Sequence, residues 1–434
     1  MRIPFPRRLR GRAIPAALAA ALGLVLLVPT AFSQAATPLS EGLLCTADAN
    51  NTFTLSAGSG YVSTPDGNSI LMWSYTAAGS PFQLPGPTLC VTAGTPVTVV
   101  LRNTLPEATS LVFPGQQHVQ ANGHPSQPQV SVTGVLTSLS DEAPATNGSV
   151  TYTFTAGTPG TYLYSSGSDV AKQQEMGLYG ALVVRPPGHP AQASDRADSA
   201  FDPGREFLML LSEVDPDLHL AVERGQPYQV TNTTARYFMI NGRSMPDTLA
   251  PNNAAWLPAQ PYGAMVHIQP TQTQTSPALI RFLNAGPTTY PFHPHGSSER
   301  IVNRDGSPVQ SAAGVDASTS NFLLNVGPGQ SMDAQESWTL EYTADKNPIP
   351  PDIKLPQLQD QIVGPGTDTW FSENPYLGGA IGATPTGIVQ NNQCGEYYEV
   401  AHSHALDQAT NYGASFGGMM TLIRIDPPNG CPAP

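Results

Sequence analysis

Gly160-Thr-Tyr-Leu-Tyr-Ser-Ser-Gly167, followed by Met176-Gly-Leu-Tyr-Gly-Ala-Leu-Val-Val-Arg-Pro186, has a partner late in the chain. The partner is Gly395-Glu-Tyr-Tyr-Glu-Val-Ala-His-Ser-His404, followed by Phe416-Gly-Gly-Met-Met-Thr-Leu-Ile-Arg-Ile-Asp-Pro427. In each copy a Tyr-rich run leads through a loop and a Gly-containing turn into a final apolar run, the pattern of two strands. A second pair lies upstream. Thr95-Pro-Val-Thr-Val-Val-Leu-Arg-Asn103 leads to Thr109-Ser-Leu-Val-Phe-Pro-Gly115, and Ser276-Pro-Ala-Leu-Ile-Arg-Phe-Leu-Asn284 leads to Tyr290-Pro-Phe-His-Pro-His-Gly296. The order is the same in both halves, which predicts a duplicated β-sandwich.

Composition agrees. Only 12% of residues are charged, and 40 Gly and 44 Pro suit short strands joined by turns. The N-terminus reads as an export signal. Arg2, Arg7, Arg8, Arg10 and Arg12 precede an apolar run over 13–28, and Ser33-Gln34-Ala35 supplies small residues for cleavage. That run is shorter than the ~20 residues of a membrane span, and no later run is long enough for one. The expected location is secreted, extracellular or periplasmic. Loss of residues 1–35 removes five arginines and no acids, so the net charge moves from −13 to −18. Such a surface repels nucleic acid and anionic lipid.

Four cysteines, Cys45, Cys90, Cys394 and Cys431, follow the signal. An even number in an exported chain implies two disulfides, with three pairings open. The expectation favoured here is Cys45–Cys431 with Cys90–Cys394, tying the first domain to the end of the second. The Pro-, Ala- and Asp-rich stretch 188–204 reads as a linker between a first domain, 36–187, and a second, 205–434. The second carries a Pro- and Gly-rich loop insert near 345–386.

Four of the nine histidines form two His-x-His pairs, His293/His295 and His402/His404, at matched repeat positions. Strand residues i and i+2 point to one face, so two such strands side by side present four imidazoles. Imidazole suits copper, zinc, iron and nickel. Of the rest, His118 and His124 read as surface loop residues, His189 as a linker residue, His267 as a satisfied core or edge residue, and His219 as exposed. Met419 and Met420 read as core. There is no G-x-S-x-G, P-loop or helix-opening G-x-G-x-x-G.

These stretches resemble the multicopper oxidase family. Pro85-Gly-Pro-Thr-Leu89 and Val97-Thr-Val-Val-Leu-Arg-Asn-Thr-Leu-Pro-Glu107 are similar to its first cupredoxin domain, and Gln174 to Val184 to that domain's end. Tyr290 to Gly296 and His402-Ser-His404 are similar to the histidine motifs of its last domain. The resemblance implies an all-β fold of two cupredoxin-like (plastocyanin-like) Greek-key β-sandwich domains in tandem. It also implies copper, bound in the family by four His-x-His motifs and by a blue-copper site of Cys, two His and often Met. Here the first two motifs are replaced by Val112-Phe-Pro-Gly115 and Ser165-Ser-Gly167. Tyr290 and Ser403 stand where blue-copper His and Cys are expected, and no His follows between Ala405 and Ser415.

The resemblance therefore implies one or two copper ions on His293, His295, His402 and His404, in a copper-dependent oxidoreductase acting on small phenols or metal ions. With the copper set incomplete, full laccase-type activity is not expected. The alternatives are a non-catalytic copper-binding protein and a metal-free cupredoxin scaffold. Two-domain members assemble as trimers with copper between subunits, so a homotrimer is implied, in which His118 or His124 could complete a site.

Overall fold

The computed structural model describes residues 41–48, 50–269, 277–338, 369–370, 380–381 and 397–426. The signal segment 1–35, Cys394, Cys431 and nearly all of the insert lie outside the described residues. Among the described residues no helix is long and apolar enough to cross a membrane.

The first half contributes β1 (Thr52–Ser63), β2 (Ser69–Ala77), β3 (Leu89–Thr92), β4 (Pro96–Asn103), β5 (Gly148–Thr155), β6 (Gly160–Ser165) and β7 (Tyr179–Arg185). One sheet runs β2-β1-β4-β5, and the other runs β6-β7-β3. The second half contributes β8 (Glu206–Val214), β9 (Tyr237–Ile240), β10 (Val266–Ile268), β11 (Ala278–Asn284), β12 (Tyr290–Pro294), β13 (Glu299–Arg304), β14 (Leu324–Val326), β15 (Ser331–Glu336), β16 (Tyr397–Ser403) and β17 (Met420–Ile425). Its sheets contain β13-β15-β11-β8-β9 and β10-β17-β16-β12-β14.

The repeat is one of connectivity as well as sequence. β1 lies parallel to β4, which lies antiparallel to β5; β8 lies parallel to β11, which lies antiparallel to β15. Likewise β6-β7-β3 and β16-β17-β10 each combine one antiparallel and one parallel pairing. Hydrogen bonds repeat too. Asn103 ends β4, accepts from the Leu105 N–H and donates to the Glu107 carbonyl. Asn284 ends β11 and makes the same bonds to Gly286 and Thr288.

Period-2 alternation drives the cores. Phe53, Leu55, Val97, Val99, Val150 and Tyr152 point into the first sandwich. Ile280, Phe282, Phe292 and Ile423 point into the second. β6 is buried on both faces. Tyr162 and Tyr164 fill the first core, while Leu163 joins Tyr179, Leu208, Leu210, Met239 and Leu283 in a third cluster between the halves.

A buried charge network joins the same faces. The Arg281 guanidinium donates to Glu206 at 2.7 Å, to Asp333 at 3.2 Å and to Thr161 at 3.0 Å, and Arg185 also bonds Glu206. Removing one partner from such a network costs about 3–5 kcal/mol, because the remaining charge is stranded. Within the linker stretch, Ala193 and Phe201 are buried against Leu279 and Val302.

The cysteine expectation is overturned: Cys45 bonds Cys90, at a Cα separation of 5.5 Å. The segment carrying Cys45 runs alongside β3, with Thr46 bridged to Leu89, and this brings the two together. Its neighbour Leu43 donates to the Glu206 carbonyl of β8, so one short segment is fastened to both halves.

Candidate metal centre

The two His-x-His pairs lie on adjacent strands. β12 and β16 are antiparallel, with His293 opposite His402. Backbone bonds from His295 to Val400 and from His404 to Pro291 continue the ladder past both strand ends. All four rings therefore share one face. Ring centroids are 4.7 Å apart for His293/His295, 5.1 Å for His295/His402, 5.2 Å for His293/His404 and 5.8 Å for His402/His404. The chain turns away directly after His295 because Gly296 has a φ of +71°, where a side chain would also strike Trp338 and Glu399.

Two imidazoles are locked in one tautomer. His402 Nδ1 lies 2.7 Å from the Ser403 carbonyl oxygen, and His293 Nδ1 contacts the Phe322 carbonyl oxygen. A carbonyl only accepts, so each Nδ1 carries hydrogen and each Nε2 keeps a lone pair. Burial, with the neighbouring histidines adding to it, lowers the His402 pKa to about 4, so this ring is neutral near pH 7. His295 Nε2 stands 3.0 Å from His402 Nε2. Two nitrogens each ~2.0 Å from one ion would be separated by a similar distance. Among the described residues no group of three or more His, Cys, Asp or Glu is closed around a common point. The preformed part is thus the His295/His402 pair, flanked by His293 and the exposed His404.

Behind this face, where the family resemblance implies a blue-copper position, hydrogen bonds fill the space. Buried Ser403 donates to Gln408 Oε1 at 2.5 Å. Tyr290 donates to Glu213 at 3.0 Å, and Thr288 bonds the same carboxylate. Ser403, Gln408 and Tyr290 offer no thiolate and no imidazole, so this position does not fit a blue copper. Sequence reasoning found no histidine between Ala405 and Ser415 but did not find Gln408, whose only signal was a lone amide five residues after Ser403.

The first half builds the same frame without ligands. Val112 is bridged to Ser165, as His293 is to His402. Ser166 and Thr109 both donate to buried Gln173, which donates to the Ala108 carbonyl. Where a second histidine would lie, Gly167 is packed by Val112, Ser110 and Leu139. Ser110, Ser138 and Ser168 close a ring of hydroxyls beside it at 3.0–3.1 Å.

The other histidines lie elsewhere. His118 is on an exposed first-half loop, His124 on a two-residue exposed strand paired with Gln120–Ala121, and His189 is exposed. His267 is held between Glu41 and Asp426, satisfied as expected. His219 is the exception: it is buried, not exposed. It sits on the helix Pro216–Glu223, capped by Asp215, with Nδ1 2.6 Å from the Leu71 carbonyl. Met419 and Met420 are core residues.

Residues 75–189 match the family described as Multicopper oxidase, and they lie wholly in the half without histidine motifs. No protein of curated function matches the sequence. The chain is similar in structure to the blue copper oxidase from Nitrosomonas europaea, at 17% identity and a TM-score of 0.55, over 86% of this chain and 85% of that one. It is also similar to the multicopper oxidase mgLAC, at 17% identity and a TM-score of 0.56, over 88% and 87% of the two chains. Residues 75–189 therefore match a multicopper oxidase domain, and the chain as a whole has an all-β, cupredoxin-like fold similar to that of multicopper oxidases.

Proposed function

We propose that this is an exported copper-binding protein that holds one or two copper ions on His293, His295, His402 and His404 and lacks the blue-copper site. The observation that carries this reading is the orientation of His293 and His402. A backbone carbonyl fixes the hydrogen of each on Nδ1, so each Nε2 presents a lone pair, and that of His402 faces His295 Nε2. His267, by contrast, has both ring nitrogens held by carboxylates. Copper bound here supplies one-electron redox chemistry and an electrophilic centre. The chain supplies fixed tautomers at His293 and His402, a neutral ring at His402, and the Phe322 ring set edge-on to His293.

The filled Ser403–Gln408 position argues for copper binding, or oxidation of small phenols or metal ions at that one site, and against the four-electron reduction of oxygen to water. Copper(II) titration of the metal-free protein tests this. Tight uptake is expected without an intense blue band. His295→Ala combined with His402→Ala should weaken uptake by more than ~100-fold, beyond what loss of outer-shell contacts alone costs. Uptake unchanged in that double variant, or a strong blue band in the wild type, would overturn the reading.

A further inference from the structure

Just beyond His295 the chain carries two buried acids. Glu299 opens β13 and Glu336 closes β15; with Arg300 paired to Gln335, the two carboxyls fall at facing ladder positions. Their exposures are 1% and 0%. Ser297, two residues after His295, donates to Glu336 Oε1 at 2.6 Å. Among the described residues, Glu299 Oε2 and Glu336 Oε2 have no hydrogen-bond partner.

Among the described residues the ladder neighbours supply no counter-charge. Asn321 lies opposite Glu299 and Ala278 opposite Glu336. Trp338 and a third buried acid, Glu399, lie against Gly296. The nearby arginines are engaged elsewhere: Arg300 with Asp198, Asp316 and Gln335, and Arg281 with Glu206 and Asp333. Two adjacent carboxylates sealed from water without a cation cannot both be ionised, so they hold a proton between them. In keeping with this, burial and then the charge of Glu336 push Glu299 well above the usual carboxylate range, and burial pushes Glu336 to about 7.

We propose that Glu299 and Glu336 share one proton while the histidine cluster is metal-free and release it when a cation binds there, making metal uptake proton-coupled through a carboxyl pair. The inference rests on the metal reading of the cluster. Only Gly296, Ser297 and Ser298 separate His295 from Glu299. An incoming dication offsets the second negative charge. One carboxyl O–H bond then breaks, and its proton leaves to solvent.

Calorimetric titration of the full chain with zinc(II), a redox-silent ion suited to imidazole, near pH 7 in buffers of different ionisation heat counts the protons released. The wild type should release about one proton more per ion than Glu299→Gln or Glu336→Gln. Equal release in wild type and variants, with uptake intact, overturns this proposal alone. No uptake of zinc(II) or copper(II) by the wild type overturns the metal reading and this proposal with it. Infrared spectra of the wild type give a second measurement that needs no variant. A protonated-carboxyl band should be present in the metal-free protein and vanish on adding zinc(II), and its absence from the metal-free protein overturns the proposal.

Discussion

Val112 faces Ser165 across one ladder, and His293 faces His402 across its repeat. The backbone is equivalent, yet only one copy presents imidazoles. The ladder bonds are made by peptide groups, so the frame survives exchange of its side chains. What fills the freed space differs. In the second half the rings stand on a partly exposed face, with His404 in solvent. In the first half Leu139 and a ring of serine hydroxyls occupy that face. The first-half face is packed closed, and single substitutions should not create a site there.

The hardest test of this contrast is Gly167→His. Its Cβ would come within 2.7 Å of Val112 Cγ1 and 3.3 Å of Leu139 Cβ. Denaturant unfolding should show a loss of about 3 kcal/mol, typical of overpacking, with no gain in copper uptake. Unchanged stability with extra copper bound would mean that the first half is still an open site. A smaller effect compares the two polar plugs. Ser403→Ala leaves Gln408 Oε1 without its hydroxyl donor, whereas after Ser166→Ala the amide oxygen of Gln173 keeps Thr109. Both should cost about 1–2 kcal/mol, with Ser403→Ala the larger loss by denaturant unfolding. The reverse order would show that the plugs are not equivalent.

The smallest effect concerns how the N-terminal segment is fastened. In the first half Cys90, on β3, is bonded to Cys45. At the matching position on β10, His267 pairs with Glu41 and with Asp426. Burial opposes the charge on His267, but its hydrogen bonds to Asp426 and Glu41 outweigh burial and raise its pKa above 6.5. The hydrogen bond to His267 lowers the pKa of Glu41; burial would raise that of Asp426, but His267 holds it below 3.8. The histidine contribution is therefore complete below its ordinary pKa and fades as pH rises through the raised one. The carboxylate contributions fade as pH falls through the lowered values. His267→Gln should thus lower Tm most in mildly acidic buffer and least in alkaline buffer. A Tm difference independent of pH would remove the ionic clasp from the comparison.

Much of the fold was legible in the residues. Alternating apolar runs and turn glycines mark strands locally, and their recurrence in the same order marks a duplication. Each His-x-His pair was legible because residues i and i+2 share a face whatever the partner strand does. Gln408 was not, because a buried amide becomes meaningful only once Ser403 is seen to bond it. His219 looked exposed beside Asp215 and Asp217, yet its helix packs it against Leu71 of β2. The disulfide partner of Cys45 depended on the path of a segment with no strand pattern of its own.

The sequence by itself determined the strand faces, the repeat and the histidine pairs, because each follows from residue type and short-range period. Only the tertiary structure decided that His293 meets His402, that Phe322 and Ser403 carbonyls set the imidazole tautomers, and that Glu299 meets Glu336. These contacts join residues 29 to 109 positions apart or depend on where one backbone oxygen points. Strand register and chain path fix such features, and no local periodicity encodes them.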